Sequence, residues 1–240
     1  MVKRAAFLFL LVFVIVSATW LWHESAPLGT IERGHHGPPT VVLLHGFGSR
    51  AEDWLQFEER WQFPDNTRRI YPQGPWQGFL THRGWWWLNL DGYVKPGQTL
   101  PDLSKASPGG IKVAAEQVVT VMRDAKRPLI LGGFSQGAMV SAEIAFQRTD
   151  QDLDALILLS GTTVNEAKWA EHFAARRSVP IFIAHGRQDP VLSFEIMDRF
   201  QQRLKAFGMD VTWYHFDGGH QIPLDVVQQV NAFVARVVAR

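Results

Sequence analysis

At 240 residues the chain has the length of one domain, two at most, and can bury a core without covalent staples. Its 24 Lys and Arg stand against 23 Asp and Glu, a net charge of +1 that excludes the broad basic field of a non-specific nucleic-acid binder. The apolar share of 46% excludes a disordered chain, and the absence of Cys excludes disulfides, thiolate metal centres, a cysteine nucleophile and a thioether lipid anchor.

In chain order, Lys3 and Arg4 precede an apolar run from Ala5 to Val16, followed by Ser17 to Trp22. A short basic start before an apolar stretch predicts a secretory signal peptide or an uncleaved membrane anchor over residues 1–22. Val16-Ser17-Ala18 resembles a cleavage site, whereas the length to Trp22 approaches the ~20 residues that span a bilayer, with Trp20 and Trp22 suited to its interface. Either way the rest of the chain is expected in the periplasm or another extracytoplasmic compartment, held to the membrane if the segment is not cleaved. Residues 23–39 read as a linker, and the catalytic domain as 40–240.

From Thr40 strands and helices alternate. Thr40 to His45, bounded by Pro39 and Gly46, is a continuous apolar run and predicts a buried strand. Ser49-x-x-Glu52 reads as a capping box opening a helix to about Arg60. A short strand at Arg69–Tyr71 ends at Pro72, and Gln73 to Gly110 reads as a long loop. A helix is expected from Ile111 to Lys126, a strand from Pro128 to Gly132, and a helix from Gln136 to Gln147. Three further strands fall at Ala155–Ser160, Val179–His185 and Asp210–Phe216. Helices are expected at Asn165–Ala175, Ser193–Phe207 and Leu224–Val238. Continuous apolar strands separated by helices imply an α/β fold, a mostly parallel central sheet of about six strands with helices on both faces. Between the fourth and fifth strands only Gly161 to Ser178 intervene, too few for a cap domain.

In such sheets functional residues collect in the loops after the strands. After the third strand stands Gly133-Phe134-Ser135-Gln136-Gly137, a G-x-S-x-G pattern between strand and helix, where a sharp turn lifts the serine hydroxyl clear of the sheet. A serine nucleophile needs a base, and the base an acid that fixes its tautomer. Asp189 follows the fifth strand and His220 the sixth, in the order Ser, Asp, His. Asp217 shares the histidine's own loop, which makes orienting the ring awkward, and Asp152 and Asp154 precede the fourth strand, at the wrong end of the sheet. His185 and His215 lie in or beside strands and read as structural, and His172 as a helix-surface residue. The oxyanion donors expected are the backbone N–H groups of Gln136, after the serine, and Phe47, in the Gly-flanked loop after the first strand. His45 reads as a brace for that loop. His35 and His36 lack metal-site spacing, and no metal or cofactor is expected.

Leu44-His-Gly-Phe-Gly48, Tyr71-Pro-Gln-Gly-Pro75, Gly133-Phe-Ser-Gln-Gly137, His185-Gly-Arg-Gln-Asp189 and Gly218-Gly-His220-Gln-Ile-Pro223 together resemble the phospholipase/carboxylesterase family of α/β-hydrolases, which includes acyl-protein thioesterases. The likeness covers the chain from Thr40 onward. It implies a serine carboxylesterase with Ser135, Asp189 and His220 as triad and Phe47 and Gln136 as oxyanion donors. With no cap expected, an open site shaped by the Gln73 to Gly110 loop predicts a small ester or thioester of short-to-medium acyl length. Where the family usually carries a Trp followed by an aromatic residue and Asp, this chain has Arg83-Gly-Trp85-Trp-Trp87-Leu. Trp76, Phe79, Trp85, Trp86 and Trp87 could line an acyl groove, with Trp85 and Trp86 as the named candidates, or simply pack the long loop onto the domain. The competing readings are a serine peptidase of the same fold and a catalytically inactive, membrane-tethered binding module.

Overall fold

The central strands are apolar almost throughout because both faces of the sheet are covered, and the residues sort by parity. Val42, Leu44, Leu129, Leu131, Leu156, Leu158, Ile181 and Ile183 enter one core. Their immediate neighbours Val41, Leu43, Ile130, Ile157, Leu159, Phe182 and Ala184 enter the other. Side chains of a strand alternate between faces, so two buried faces demand two interleaved sets of apolar residues.

The structure, a computed structural model, describes residues 27–78, 82–87 and 99–240. The strands of the main sheet are β1 (Thr30–Gly34), β2 (Gly37–Leu44), β3 (Thr67–Pro72), β6 (Leu129–Phe134), β7 (Ala155–Leu159), β8 (Ile181–Gly186) and β9 (Val211–Phe216). They lie in the order β1-β3-β2-β6-β7-β8-β9, parallel throughout except for the antiparallel edge pair of β1 with β3. A separate two-stranded hairpin pairs β4 (Trp76–Gln77) with β5 (Arg83–Gly84). Helices α1 (Ile111–Met122), α2 (Gln136–Gln147), α3 (Glu166–Ala170) and α4 (Phe194–Ala206) send their apolar residues into the first core. A 3₁₀ segment at Ala51–Phe57 and helix α5 (Leu224–Val238) close the second. This is the α/β-hydrolase fold, and between β7 and β8 the chain makes only α3 and a single 3₁₀ turn, with no cap domain.

Three expectations need correction. The sheet has seven strands rather than about six, because Thr30–Gly34, expected in the linker, forms edge strand β1. Its sequence, Thr-Ile-Glu-Arg-Gly, carries no apolar run. What holds it is backbone pairing with β3 and an Arg68–Glu32 ion pair at 2.8 Å. The helix expected after Ser49 is a 3₁₀ segment whose cap is shifted by one residue. The Asp53 carboxylate, not Glu52, accepts from the Arg50 N–H at 3.1 Å and from the Ser49 hydroxyl at 2.6 Å. Within the stretch expected to be a continuous loop, residues 76–77 and 83–84 pair as the small hairpin. The segment read as a signal peptide or anchor, residues 1–22, and Phe79 lie outside the described residues.

Candidate active site

Ser135 occupies the single residue between β6 and α2. Its backbone has φ 55° and ψ −118°, a conformation that costs an L-residue energy and persists only where the surroundings impose it. The surroundings are backbone. A Cβ on Gly133 would fall 2.4 Å from the Gly137 carbonyl carbon, and one on Gly137 would fall 2.2 Å from the Leu44 oxygen. Only glycine permits that approach, which draws the end of β2 under the turn. The Ser135 N–H donates to the Leu159 carbonyl at 2.9 Å and ties the elbow to the end of β7.

The loop leaving β2 lies directly against this elbow, since a Cβ on Gly46 would stand 3.3 Å from the Ser135 Cβ. Phe47, next in the chain, is thus carried beside the serine. His45 braces the loop as expected. Its Nε2 accepts from the Gly74 N–H at 2.9 Å, which leaves Nδ1–H to donate to the Gly46 carbonyl at 2.8 Å. Burial holds its imidazole below the ordinary histidine range, so this neutral tautomer is the one present.

Asp189 and His220 come from the loops after β8 and β9, 31 residues apart in sequence. A Cβ on Gly186 would lie 2.4 Å from the carbonyl oxygens of both Gly218 and Gly219, so glycine at that position lets the loops touch. Backbone bonds from the Arg187 N–H to Phe216 O (2.9 Å) and from the Gln188 N–H to Gly218 O (3.0 Å) lock them. His220 Nδ1 donates to Asp189 Oδ2 at 2.7 Å, and the His220 ring stands 4.7 Å from that of Phe134, the residue before Ser135. Asp189 Oδ1 accepts the backbone N–H groups of Val191 and Leu192 at 2.8 and 2.9 Å. Burial alone would push this carboxyl up. Donors from His185 and His220, joined by the Leu192 N–H, outweigh burial and hold it well below the usual carboxylate range. It is an anion ready to steady a charged imidazole.

The other carboxylates considered at this edge point elsewhere. Asp217 is exposed and pairs with Arg187 at 3.8 Å, and Asp154 caps the opposite end of the sheet through Arg127 at 2.6 Å. His185 is completely buried, with Nε2 at 3.0 Å from the Leu192 carbonyl and 3.3 Å from Asp189 Oδ2. Its sequence position suggested a structural role without revealing that it shares the carboxylate with His220.

A cleft of about 360 Å³ opens beside these groups. Its lining includes Gly46, Phe134, His220 and Ile222, with Trp54 and Phe57 of the 3₁₀ segment. Trp85 and Trp86, expected at the substrate, are 2% and 6% exposed and pack in the core. The Trp85 indole N–H is spent on the His45 carbonyl at 2.7 Å. The accessible aromatic here is Trp87, 57% exposed, which sits 4.8 Å from Trp76 and 6.2 Å from Phe47, ring to ring. Among the described residues no group of three or more His, Cys, Asp or Glu could hold a metal ion.

A doubly covered, mostly parallel sheet with a serine on a strained strand-to-helix elbow defines an α/β-hydrolase. The chain belongs to the phospholipase/carboxylesterase family, whose sequence profile matches residues 30–238, and is a serine hydrolase acting on carboxylic ester bonds. It is similar to acyl-protein thioesterase 1 of Gibberella zeae, 26% identical over 216 residues covering 82% of this chain and 89% of that one. It also resembles acyl-protein thioesterase 1 homolog 1 of Dictyostelium discoideum, 23% identical over 84% of this chain and 91% of the other. Among solved structures, esterase PE8 superposes with a TM-score of 0.72 at 23% identity, over 88% of this chain and all of that one. Acyl-protein thioesterase 2 of Zea mays superposes with a TM-score of 0.70 at 21% identity, over 88% of this chain and 99% of its own.

Proposed function

We propose that the protein is a carboxylesterase that hydrolyses short-to-medium acyl esters, thioesters included, through an acyl-enzyme on Ser135. The observation that carries this reading is the 2.7 Å bond from His220 Nδ1–H to a buried, strongly acidic Asp189, beside the residue that precedes Ser135. That bond leaves His220 Nε2 as the acceptor. Nε2 takes the Ser135 proton while Oγ attacks the substrate carbonyl carbon, and Asp189 steadies the imidazolium. The Phe47 and Gln136 N–H groups receive the oxyanion. The tetrahedral centre collapses, His220 passes its proton to the leaving alcohol or thiol, and the acyl group stays on Oγ. Water then repeats the sequence, and the carboxylic acid leaves. Among the described residues no cap domain stands between β7 and β8, which supports an uncovered site for a small ester over the bound peptide of a capped peptidase.

Replacing the nucleophile of such a triad costs about 10⁶-fold in kcat. Ser135→Ala should therefore lose p-nitrophenyl ester and acyl-thioester turnover while keeping the far-ultraviolet circular dichroism of the parent. Turnover retained by a folded Ser135→Ala protein overturns the reading. A series of acyl lengths, each offered as oxygen ester and thioester, sets the substrate range.

We also infer that residues 1–22 export the chain or tether it to a membrane. Among the described residues no helix is long and apolar enough to cross one. Fractionation of cells expressing the full chain, with mass spectrometry of its N-terminus, tests this. The full-length protein recovered only from the cytosol contradicts it.

A further inference from the structure

We propose that the Gln136 carboxamide and the Trp85 indole are positioning residues that fix the spacing of the two oxyanion donors. The inference rests on the esterase reading above and adds to it a device that the backbone donors alone do not supply. The two donors come from different loops, Phe47 after β2 and Gln136 at the start of α2, and no strand pairing continues that far. Something else must hold them in register.

The segment Arg83–Trp86 spans the gap. On the Phe47 side, the Gly48 N–H donates to the Arg83 carbonyl at 2.8 Å and the Arg83 N–H donates to the Ser49 carbonyl at 3.1 Å. Both bonds fall just after Phe47. The Trp85 indole N–H donates to the His45 carbonyl at 2.7 Å, two residues before Phe47. On the Gln136 side, the side-chain Oε1 accepts the Trp85 N–H at 2.8 Å and Nε2 donates to the Trp86 carbonyl at 3.0 Å. Gln136 is fully buried, so both ends of its amide are committed in a dry environment, where a hydrogen bond is stiff and costly to break. Gly84 lets the segment lie close: a Cβ there would fall 2.9 Å from the Phe47 ring and 3.2 Å from Gln136 Oε1.

An oxyanion hole works only if its donors already stand about 2.7–3.1 Å from where the charge develops. The backbone N–H of Gln136 is untouched by changing its side chain, and that of Phe47 by changing Trp85. Loss of either tether therefore moves donors without deleting them. The cost falls on the transition state and leaves ground-state binding alone.

The experiment uses the full chain carrying Trp85→Phe, which keeps an aromatic ring in the core and removes one N–H. Gln136→Met is the second variant, which keeps the length of the side chain and removes both polar ends without adding a charge beside the oxyanion. Active sites are counted with a fluorophosphonate, so that misfolded material drops out. Per active site, each variant should show kcat lower by about tenfold, less than the ~10²–10³ for deleting a donor outright, with KM within about twofold. The inhibition constant of a trifluoromethyl ketone, whose adduct places an oxyanion in the hole, should rise by the same factor as kcat/KM falls. A purely structural contribution lowers the count of labelled sites or the melting temperature and leaves per-site kcat and ketone affinity unchanged. That outcome overturns the proposal. Should Trp85→Phe unfold, Gln136→Met decides alone by the same readouts. Ser135→Ala separates the two ideas: turnover surviving in it sinks the esterase reading itself, whereas an inactive Ser135→Ala beside a fully active Trp85→Phe sinks only the tether.

Discussion

The two halves of the site are built differently. The half that carries Asp189 and His220 is assembled by neighbouring strand exits, β8 and β9, whose loops interlock through backbone bonds and the bare Cα of Gly186. The half that carries the proposed oxyanion donors is held by a segment distant in sequence, with bonds closed across 40 to 51 residues. The first is rigid because strand geometry makes it so. The second is rigid only while a few buried polar groups keep their partners, which makes it the more tunable half.

Substitutions can break that contrast. The largest effect is expected from Asp189→Asn, which keeps the shape of the first half and removes the anion that holds His220 in its tautomer. Such a change costs about 10⁴-fold in kcat in a comparable triad, and steady-state kinetics on a p-nitrophenyl ester should show a loss of that order. Next, Gly186→Ala should be worse than Gly84→Ala. The added methyl at 186 meets two carbonyl oxygens at 2.4 Å, and backbone cannot step aside. At 84 it meets the edges of the Phe47 and Trp76 rings at 2.9 and 3.2 Å, which can turn aside, and the held Gln136 oxygen only at 3.2 Å. Overpacking typically costs about 1–3 kcal/mol, so urea denaturation should place Gly186→Ala in or above that range and Gly84→Ala below it. Equal losses in the two variants contradict the contrast.

Two buried carboxylates give the smallest effects and sharpen the picture through pH. Asp189, with four donors, is depressed, so its contribution to stability is present above the ordinary aspartate range and is lost only as pH falls through its lowered value. Glu143, in the first core, is raised: burial outweighs the Trp169 indole N–H, which donates to it at 2.6 Å, and the field of Lys112. The folded chain then binds a proton there before the unfolded chain does, and stability falls as pH rises from the ordinary glutamate value through the raised one. Glu143→Gln should accordingly gain stability over the parent at neutral pH, with the gain vanishing below the ordinary glutamate range. Chemical denaturation at several pH values reads both slopes. A gain that grows on acidification contradicts the assignment.

The sequence made the Asp189–His220 half legible because its signals are local: a strand, a turn rich in glycine, and one polar residue at each exit. Helices α2 and α5 match their expected bounds for the same reason, a helical pattern with clear ends. Strand β1 carries no sequence signal because Thr-Ile-Glu-Arg-Gly is mostly polar, has no buried position, and is held by backbone pairing with β3 and the Arg68–Glu32 ion pair. The tether escaped because Gln136 was read only for its backbone N–H, and nothing adjacent to it says that its amide meets Trp85. For Trp85 and Trp86 the burial agrees with the packing alternative. A run of three tryptophans does not reveal which ring turns inward, and here the first two are buried and the third is exposed.

The central claim is that Ser135 is made nucleophilic by His220 and Asp189. Its most direct measurement is the rate of fluorophosphonate labelling followed by peptide mapping, in the parent and in His220→Ala. A single adduct on Ser135 is expected in the parent, with labelling slowed by orders of magnitude in the variant. An adduct elsewhere, or Ser135 labelled equally fast without the imidazole, contradicts it.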